Sequence, residues 1–290
     1  MEVRATRADL AYWLDNMLNF HRFSLEEAAP VCGKSVAELQ DSLAVLDVKP
    51  SEAPLEPTGF DKPLKVLPYP GGRHPRIGFL NGAVEPQRGT KASVFLPWGD
   101  GDYVVVDLPE AIFSNLGLLF LAHTHVPTIW DKQGVKIENV DWTRHEDGSL
   151  TFRRELPNGV RFGSKMVPKP GEVEMEMWLE NGTFEVLTGL RTQVCVMLKG
   201  AKGFNEQTRD RKTLASPVAA VKSAEADRWI LVAFDHCGRV WENPPVPCIH
   251  SDPVFPDAGP GERVSVKGRL WFFEGEDIEG ELKKGAQFPQ

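Results

Sequence analysis

Apolar residues recur at three- and four-residue spacing over residues 7–48, which predicts helices there. The first stretch gives one apolar stripe, formed by Leu10, Trp13, Leu14, Met17, Leu18 and Phe20. Ser24 and Glu27 have the spacing of a capping box for a second helix, Gly33 ends that helix, and Ser35 can cap a third. We therefore assign residues 1–48 to a small helical cap.

The two helices on either side of Gly33 resemble a helix-turn-helix, with small, turn and core residues at Ala29, Gly33, Val36 and Leu39. The helix that would read DNA is acidic, whereas a reading helix needs Arg, Lys, Asn or Gln at the groove. This favours a docking or dimerising cap, and we expect any homo-oligomer to form through these helices. A transcriptional regulator with a β sensor domain is the least favoured alternative.

A proline-rich linker over residues 49–63 separates the cap from a β domain over residues 64–290. Short runs rich in Val, Leu, Phe and Trp alternate there with turn residues, and they predict strands at 92–96, 103–108, 116–122, 159–166, 172–179, 183–190, 193–199, 228–234 and 264–273. Asn158-Gly159 and Asn181-Gly182 are hairpin signals. The pattern predicts a mainly β chain: a large antiparallel β-sandwich, closed as a jelly roll or as two extensive sheets. In length and strand density alone, this domain resembles the galactose-mutarotase-type supersandwich, a likeness of fold that carries no function.

Charge and composition limit the classes of partner that the chain is expected to bind. The chain has 290 residues, a formal net charge of −8 and an ordinary hydrophobic content of 41%. An acidic surface does not suit duplex nucleic acid or an anionic membrane as the main partner. The polar N-terminus does not look like a signal peptide, and no apolar run is long enough to span a bilayer, so we expect a cytoplasmic chain. Its four cysteines are then expected to be free thiols.

His123 and His125 lie at the end of an apolar run, just before Pro127. In an extended strand, residues i and i+2 point to the same face, so both imidazoles would project from one strand end. This device resembles the way cupin-type jelly rolls present two metal ligands, although the glutamate and glycine pattern of that family is missing. The interpretation as a metal site competes with simple hydrogen bonding inside a loop.

Glu174, Glu176 and Trp178 alternate with Val, Met and Leu over residues 172–180. The apolar positions predict a buried face, and the carboxylates predict either a solvated face or a binding face. On the second interpretation, Glu174 or Glu176 completes a two-His, one-carboxylate site or acts as the general base, and Trp178 stacks on a sugar ring.

A third cluster surrounds a proline-rich stretch: Asp235-His236-Cys237, then Cys248, His250 and Asp252. Cys248 and His250 could bind zinc with His236 or Cys237, but the paired CxxC motifs of structural zinc sites are absent. We favour the interpretation that His250 joins His123 and His125, with the thiols buried.

Further substrate contacts are predicted at six positions outside these histidines. Arg73 and Arg76 lie in a cationic, glycine-rich turn that suits a carboxylate or phosphate, although an incidental surface turn explains it too. Trp130 and Trp241 offer apolar rings, and Asn205 and Gln207 offer amides for sugar hydroxyls.

Together these features predict a metal-dependent enzyme acting on a carbohydrate or sugar acid. The cofactor would be a divalent ion (zinc, iron or manganese), and isomerase, lyase, hydrolase and oxygenase chemistry all remain open. The alternative is a carbohydrate-binding β-sandwich without catalytic activity.

Overall fold

The computed structural model describes residues 7–51, 53, 55–70, 89–99, 101–123, 126–244 and 246–288. The helices in these ranges are α1 (Arg7–Asp15), α2 (Leu25–Cys32), α3 (Val36–Leu46) and α4 (Ile278–Gly285), with a π-helical turn at Asn16–Phe20 and a 3-10 turn at Asp131–Gln133. The strands are β1 (Val66–Pro68), β2 (Lys91–Phe95), β3 (Tyr103–Ser114), β4 (Gly117–Leu121), β5 (Thr143–Arg144), β6 (Leu150–Glu155), β7 (Arg161–Lys169), β8 (Glu172–Glu180), β9 (Arg191–Met197), β10 (Lys212–Ala215), β11 (Val218–Lys222), β12 (Arg228–Phe234), β13 (Cys237–Trp241), β14 (Cys248–Pro253) and β15 (Arg263–Glu274).

The strands form two antiparallel sheets. Sheet one has the order β1-β2-β3-β9-β14-β13, and β4 pairs with β3 at its side. Sheet two has the order β10-β11-β12-β15-β8-β7-β6-β5. The predicted fold class, a mainly antiparallel β-sandwich with a small N-terminal helical segment, is therefore confirmed.

The main core lies between the sheets because each strand turns every second side chain inward. Sheet one contributes residues such as Val104, Val106 and Val196, and sheet two contributes Met175 and Met177. On β8 the burial alternates as the sequence predicted: Val173, Met175, Met177 and Leu179 are buried, and the residues between them face outward.

The outer face of sheet one carries a second apolar cluster, where α1, α2 and α3 pack. Tyr103, Val105 and Met197 of the sheet belong to the same buried cluster as Leu14 and Leu39 of the helices. The predicted capping box at Ser24–Glu27 is present, and Ser35, predicted as a cap, forms a second box with Glu38, so both helices begin where the sequence indicated.

Buried His21 fixes this packing. Its Nε2 lies 2.7 Å from Ser93 Oγ on β2, and its Nδ1 lies 3.0 Å from Asn16 O. Its ring also contacts Tyr103 edge-on. Because both ring nitrogens have partners, the buried imidazole carries no desolvation cost that packing must offset.

Two features of the strand prediction are wrong. Residues 183–190 form no strand apart from a bridge at Leu187, because the Asn181 side chain donates to Glu185 O and Ala258 O and accepts from Thr183 N, which fixes a loop. Conversely, seven strands of the described residues form outside the predicted ranges: β1, β5, β6, β10, β11, β13 and β14. Most are short, and in β13 and β14 polar residues obscure the alternation.

None of the helices in the described ranges has the length and apolar character needed to cross a bilayer.

The docking of the cap on sheet one can be tested with Leu14→Ala. Leu14 is fully buried in the cap–sheet cluster, so we expect the free energy of unfolding to fall by about 2–5 kcal/mol in a urea titration. Val45→Ala on the exposed side of α3 is the matched control and should stay within about 0.5 kcal/mol of the parent protein. Equal effects of the two substitutions would contradict the docking.

Candidate functional site

One row of side chains crosses five strands of sheet one. Register pairing places Lys91 opposite Asp107, Asp107 opposite Cys195, Cys195 opposite His250, and His250 opposite Trp241. Directly paired residues share a face, with Cβ atoms about 4.5–5.5 Å apart. Because the neighbouring Val106 and Val196 point into the core between the sheets, the row lies on the outer face. We call it the polar row.

The first group on this row consists of Asp107, Glu110 and His123, which we call the carboxylate group. His123 Nε2 lies 3.2 Å from Glu110 Oε1 and 3.5 Å from Asp107 Oδ2. The side chains of Asp107 and His123 are almost fully buried, and Glu110 is 14% exposed. These three side chains offer oxygen and nitrogen atoms close enough to share one metal ion.

Local backbone structure brings the group together. The register of β3 against β9 shifts between Asp107 and Ala111, and this irregularity carries Glu110 toward the histidine. His123 follows β4, which pairs with β3, and Ala122 N donates to Glu110 O at 2.7 Å. The segment after β4 is thus tied directly to the irregular part of β3.

Lys91 and Thr90 hold Asp107 in place. The ammonium group of Lys91 donates to Asp107 Oδ2, and both side chains are fully buried. Thr90 Oγ1 donates to Asp107 Oδ1 at 3.2 Å. Among the described side chains of this group, two carboxylates therefore lie beside one ammonium. Such an excess of carboxylates favours a bound cation.

The second group consists of Cys195, Cys248 and His250, which we call the sulfur group. Cys248 Sγ lies 3.4 Å from His250 Nε2, and the ligand atoms of all three residues lie within 4.8 Å of one another. All three residues are buried. The ring of Trp241 stacks on that of His250 with a centroid distance of 4.0 Å and an interplanar angle of 23°.

The carboxylate of Asp252 lies beside the Nδ1 atom of His250. Its Oδ1 lies 3.7 Å from His250 Nδ1 and accepts from Val194 N at 3.0 Å. Its Oδ2 accepts from Trp241 Nε1 at 2.6 Å and from Arg239 Nε at 2.9 Å. These donors fix the carboxylate beside His250.

The sulfur group has strongly shifted acidities. A hydrogen bond from Cys195, together with one from His250, outweighs burial and lowers the pKa of Cys248 to about 5. Burial lowers the pKa of His250, but Asp252 and the Cys248 thiolate outweigh it and raise that pKa to about 10. Burial raises the pKa of Cys195, which stays a thiol and can donate. At neutral pH the pair is therefore a thiolate and an imidazolium.

The predicted ligands are only partly brought together. His123 and His250 both lie on or beside the polar row, but in different groups. His125, Arg73 and Arg76 lie outside the described residues.

Glu174 and Glu176 do not lie near these groups. They point to the outer face of sheet two, where Glu174 pairs with Lys169 at 3.5 Å, whereas the polar row lies on the outer face of sheet one. Packed sheets are about 10 Å apart, so the two sets face opposite sides of the sandwich. The predicted union of these glutamates with His123 is corrected: Glu110 and Asp107 are the carboxylates beside that histidine.

The three tryptophans predicted to bind a sugar have different surroundings in the structure. Trp130 is buried in the core, and its Nε1 donates to Leu119 O at 2.8 Å. The guanidinium of Arg263 lies 4.0 Å from the ring centroid of Trp178. Trp241 is covered by His250 and approached by Arg239 at 4.6 Å. The stacking interpretation is corrected for Trp130, whose packing leaves no room for a ligand.

The remaining predicted residues lie on the surface. Asn205 and Gln207 are exposed on the loop between β9 and β10, where their sugar-binding role stays a prediction. His236 is exposed and pairs with Asp235 at 3.0 Å, and Cys237 accepts from Ser251 Oγ. The side chain that lies beside Cys248 and His250 is that of Cys195 instead.

Asp107, Glu110 and Cys195 are the site residues that the sequence analysis missed. Asp107 directly follows a run of three valines and precedes Leu108, and a charge inside an apolar strand is costly unless it has a partner. That signal could have identified it. Cys195 carries no comparable signal, because a small thiol among apolar residues looks like core.

The acidity of Cys248 can be tested on metal-free protein. We expect the ultraviolet absorbance of the thiolate to persist as the pH falls and to disappear near the pKa of about 5, because the hydrogen bond from Cys195 stabilises the charge. Cys195→Ala should raise this midpoint, Cys195→Ser should raise it less because a hydroxyl still donates, and Cys32→Ser, in the helical cap, should not change it. A midpoint at the ordinary thiol value in the parent protein would contradict the arrangement.

No protein-family model matches the chain, and no curated protein matches it. Among solved structures it is similar to a polysaccharide lyase (13% identity, TM-score 0.37, 74% of this chain and 33% of that one). It is also similar to the Slr1438 protein of Synechocystis sp. PCC 6803 (10%, TM-score 0.38, 67% and 91%). A third is a candidate kojibiose phosphorylase from the human microbiome (7%, TM-score 0.39, 81% and 37%). The chain thus spans about a third of the lyase and of the phosphorylase, and no residue role is transferred from them.

Proposed function

We propose that this chain is a metal-dependent enzyme acting on a carbohydrate or a sugar acid, with its metal at the carboxylate group. The observation that carries the proposal is the position of His123 Nε2, 3.2 Å from Glu110 Oε1 and 3.5 Å from Asp107 Oδ2. Two donor atoms bound to the same divalent metal ion lie about 3 Å apart, because each metal–ligand bond is about 2.0–2.2 Å long.

The three donor side chains of the carboxylate group suit a divalent ion that binds both oxygen and nitrogen ligands. One imidazole and two carboxylates suit zinc, iron or manganese. His125 is proposed as a further ligand, which would give the two-His arrangement that the sequence predicts. The two carboxylates of the group favour cation binding, while Lys91 limits the repulsion between them.

The proposed chemistry depends on the way a divalent metal ion polarises an oxygen atom of the substrate. A divalent metal polarises a carbonyl or hydroxyl oxygen, and sugars and sugar acids offer several oxygens that can chelate it. Glu110 is the partly exposed carboxylate of the group, so it is the one a substrate can reach. We assign to Glu110 the proton-transfer role that the sequence analysis gave to Glu174 and Glu176.

The test is metal content by plasma mass spectrometry, on protein purified without chelator or His-tag. The parent for this test carries Cys195→Ser and Cys248→Ser, so that the sulfur group cannot contribute. We expect about one equivalent of metal per chain, lost in His123→Ala and strongly reduced in Glu110→Gln, because each removes a donor. His236→Ala removes an exposed histidine and is the control. No metal in this parent after reconstitution would overturn the proposal.

Substrate class is tested separately with the metal-loaded, unsubstituted chain and a panel of sugars and sugar acids. We expect turnover that Glu110→Gln reduces by roughly 10²–10⁴-fold, the usual contribution of a general base. Binding of a sugar without turnover, unaffected by Glu110→Gln, would favour the alternative of a carbohydrate-binding protein without catalytic activity.

A further inference from the structure

We propose that the sulfur group is a second metal site, which binds zinc through Cys195, Cys248 and His250. It is separate from the carboxylate group and does not depend on the function proposed above. Thiolate and imidazole ligands select zinc among the common divalent ions, whereas carboxylate-rich sites accept harder ions.

Strand register creates the site. His250 on β14 lies opposite Cys195 on β9, so the two side chains share a face. Cys248 precedes His250 by two residues on the same strand and therefore points to that face as well. Two thiols and an imidazole from adjacent strands are thus fixed side by side by backbone hydrogen bonds.

The distances suit a tetrahedral zinc ion. Bond lengths of about 2.3 Å to sulfur and 2.0–2.1 Å to nitrogen place sulfur and nitrogen ligands about 3.5 Å apart. Cys248 Sγ and His250 Nε2 are 3.4 Å apart, and all three donor atoms lie within 4.8 Å of one another. Three ligands leave the fourth position open to a water molecule.

Asp252 supplies the outer support that zinc-binding histidines have. A histidine that binds zinc through one nitrogen directs the other N–H to a carboxylate or carbonyl, which sets the tautomer. His250 Nδ1 is buried without a hydrogen bond to the described residues, and the nearest carboxylate oxygen, Asp252 Oδ1, is 3.7 Å away. Asp252 is itself held by Val194, Trp241 and Arg239. A small shift of His250 on metal binding would complete the triad.

Burial separates this proposal from a nucleophilic cysteine. Cys248, His250 and Asp252 have the order of a catalytic triad, but all three side chains are buried, with relative exposures of 0%, 2% and 3%. A reactive cysteine is partly exposed, whereas a metal-binding thiolate is shielded. The lowered pKa of Cys248 is consistent with ligation, since zinc binds the thiolate.

Cobalt titration of the chelator-treated, full-length protein tests the site. Cobalt bound by thiolates in a tetrahedral site gives a sulfur-to-cobalt charge-transfer band and an intense visible band, which oxygen and nitrogen ligands alone do not give. We expect both bands in the parent protein and their displacement by one equivalent of zinc. The bands should remain in His123→Ala, which alters only the carboxylate group, and in Cys32→Ser, the matched cysteine control.

Variants of the sulfur group give the decisive comparison. Cys195→Ser and Cys248→Ser should each abolish the charge-transfer band or halve its intensity while shifting it. Asp252→Asn keeps all three ligands and should weaken cobalt binding by about 10–100-fold, the usual effect of losing such outer support. Far-ultraviolet circular dichroism identifies any variant that fails to fold. If a cysteine variant does not fold, the cobalt affinity of Asp252→Asn decides the test.

Two outcomes would overturn the proposal. One is the absence of a charge-transfer band in the folded parent protein. The other is rapid alkylation of Cys248, at the rate of an exposed thiol, in protein that binds no cobalt; this would identify a nucleophile in place of a ligand. Because His123→Ala leaves the sulfur group intact, failure here is distinguishable from failure of the carboxylate site.

Discussion

The register between β3, β9 and β14 places Asp107, Cys195 and His250 in one line across sheet one. Because the inner face of this sheet packs against sheet two, the polar side chains must all lie on the outer face. Burying charged groups there is costly unless each has a partner, and the row meets this requirement internally: Lys91 pairs with Asp107, and the Cys248 thiolate pairs with protonated His250. The helical cap packs over the sulfur side of this row, since Cys195 and Cys248 belong to the same buried cluster as its helices.

The two groups on the polar row differ in the kind of metal ion that their donor atoms prefer. The carboxylate group has oxygen and nitrogen donors and one partly exposed member, Glu110, so in the proposed function it would hold a metal within reach of a substrate. The sulfur group has two thiols and a buried imidazole, so it suits a tightly held zinc ion that ties β9 to β14. One sheet face can therefore hold a reactive centre and a stabilising centre without competition for the same ion.

Local pattern predicted many of the elements but not their neighbours in space. The capping boxes at Ser24 and Ser35 and the alternation along β8 are local signals, and both are present in the structure. His123 could be singled out because its spacing from His125 is a local pattern. Its carboxylate partners could not, since the irregularity after Asp107 and the pairing of β4 with β3 are tertiary features. Glu174 and Glu176 were preferred because alternation identifies a face but does not say which face of which sheet it is.

Anomalous X-ray scattering from crystals of the metal-loaded protein tests the central claim most directly, because it locates ions without reference to activity. The account predicts one anomalous peak between His123 Nε2 and the Glu110 and Asp107 carboxylates. It predicts a second peak, at the zinc edge, among Cys195 Sγ, Cys248 Sγ and His250 Nε2. Crystals soaked with metal that show no peak at either position would contradict the account.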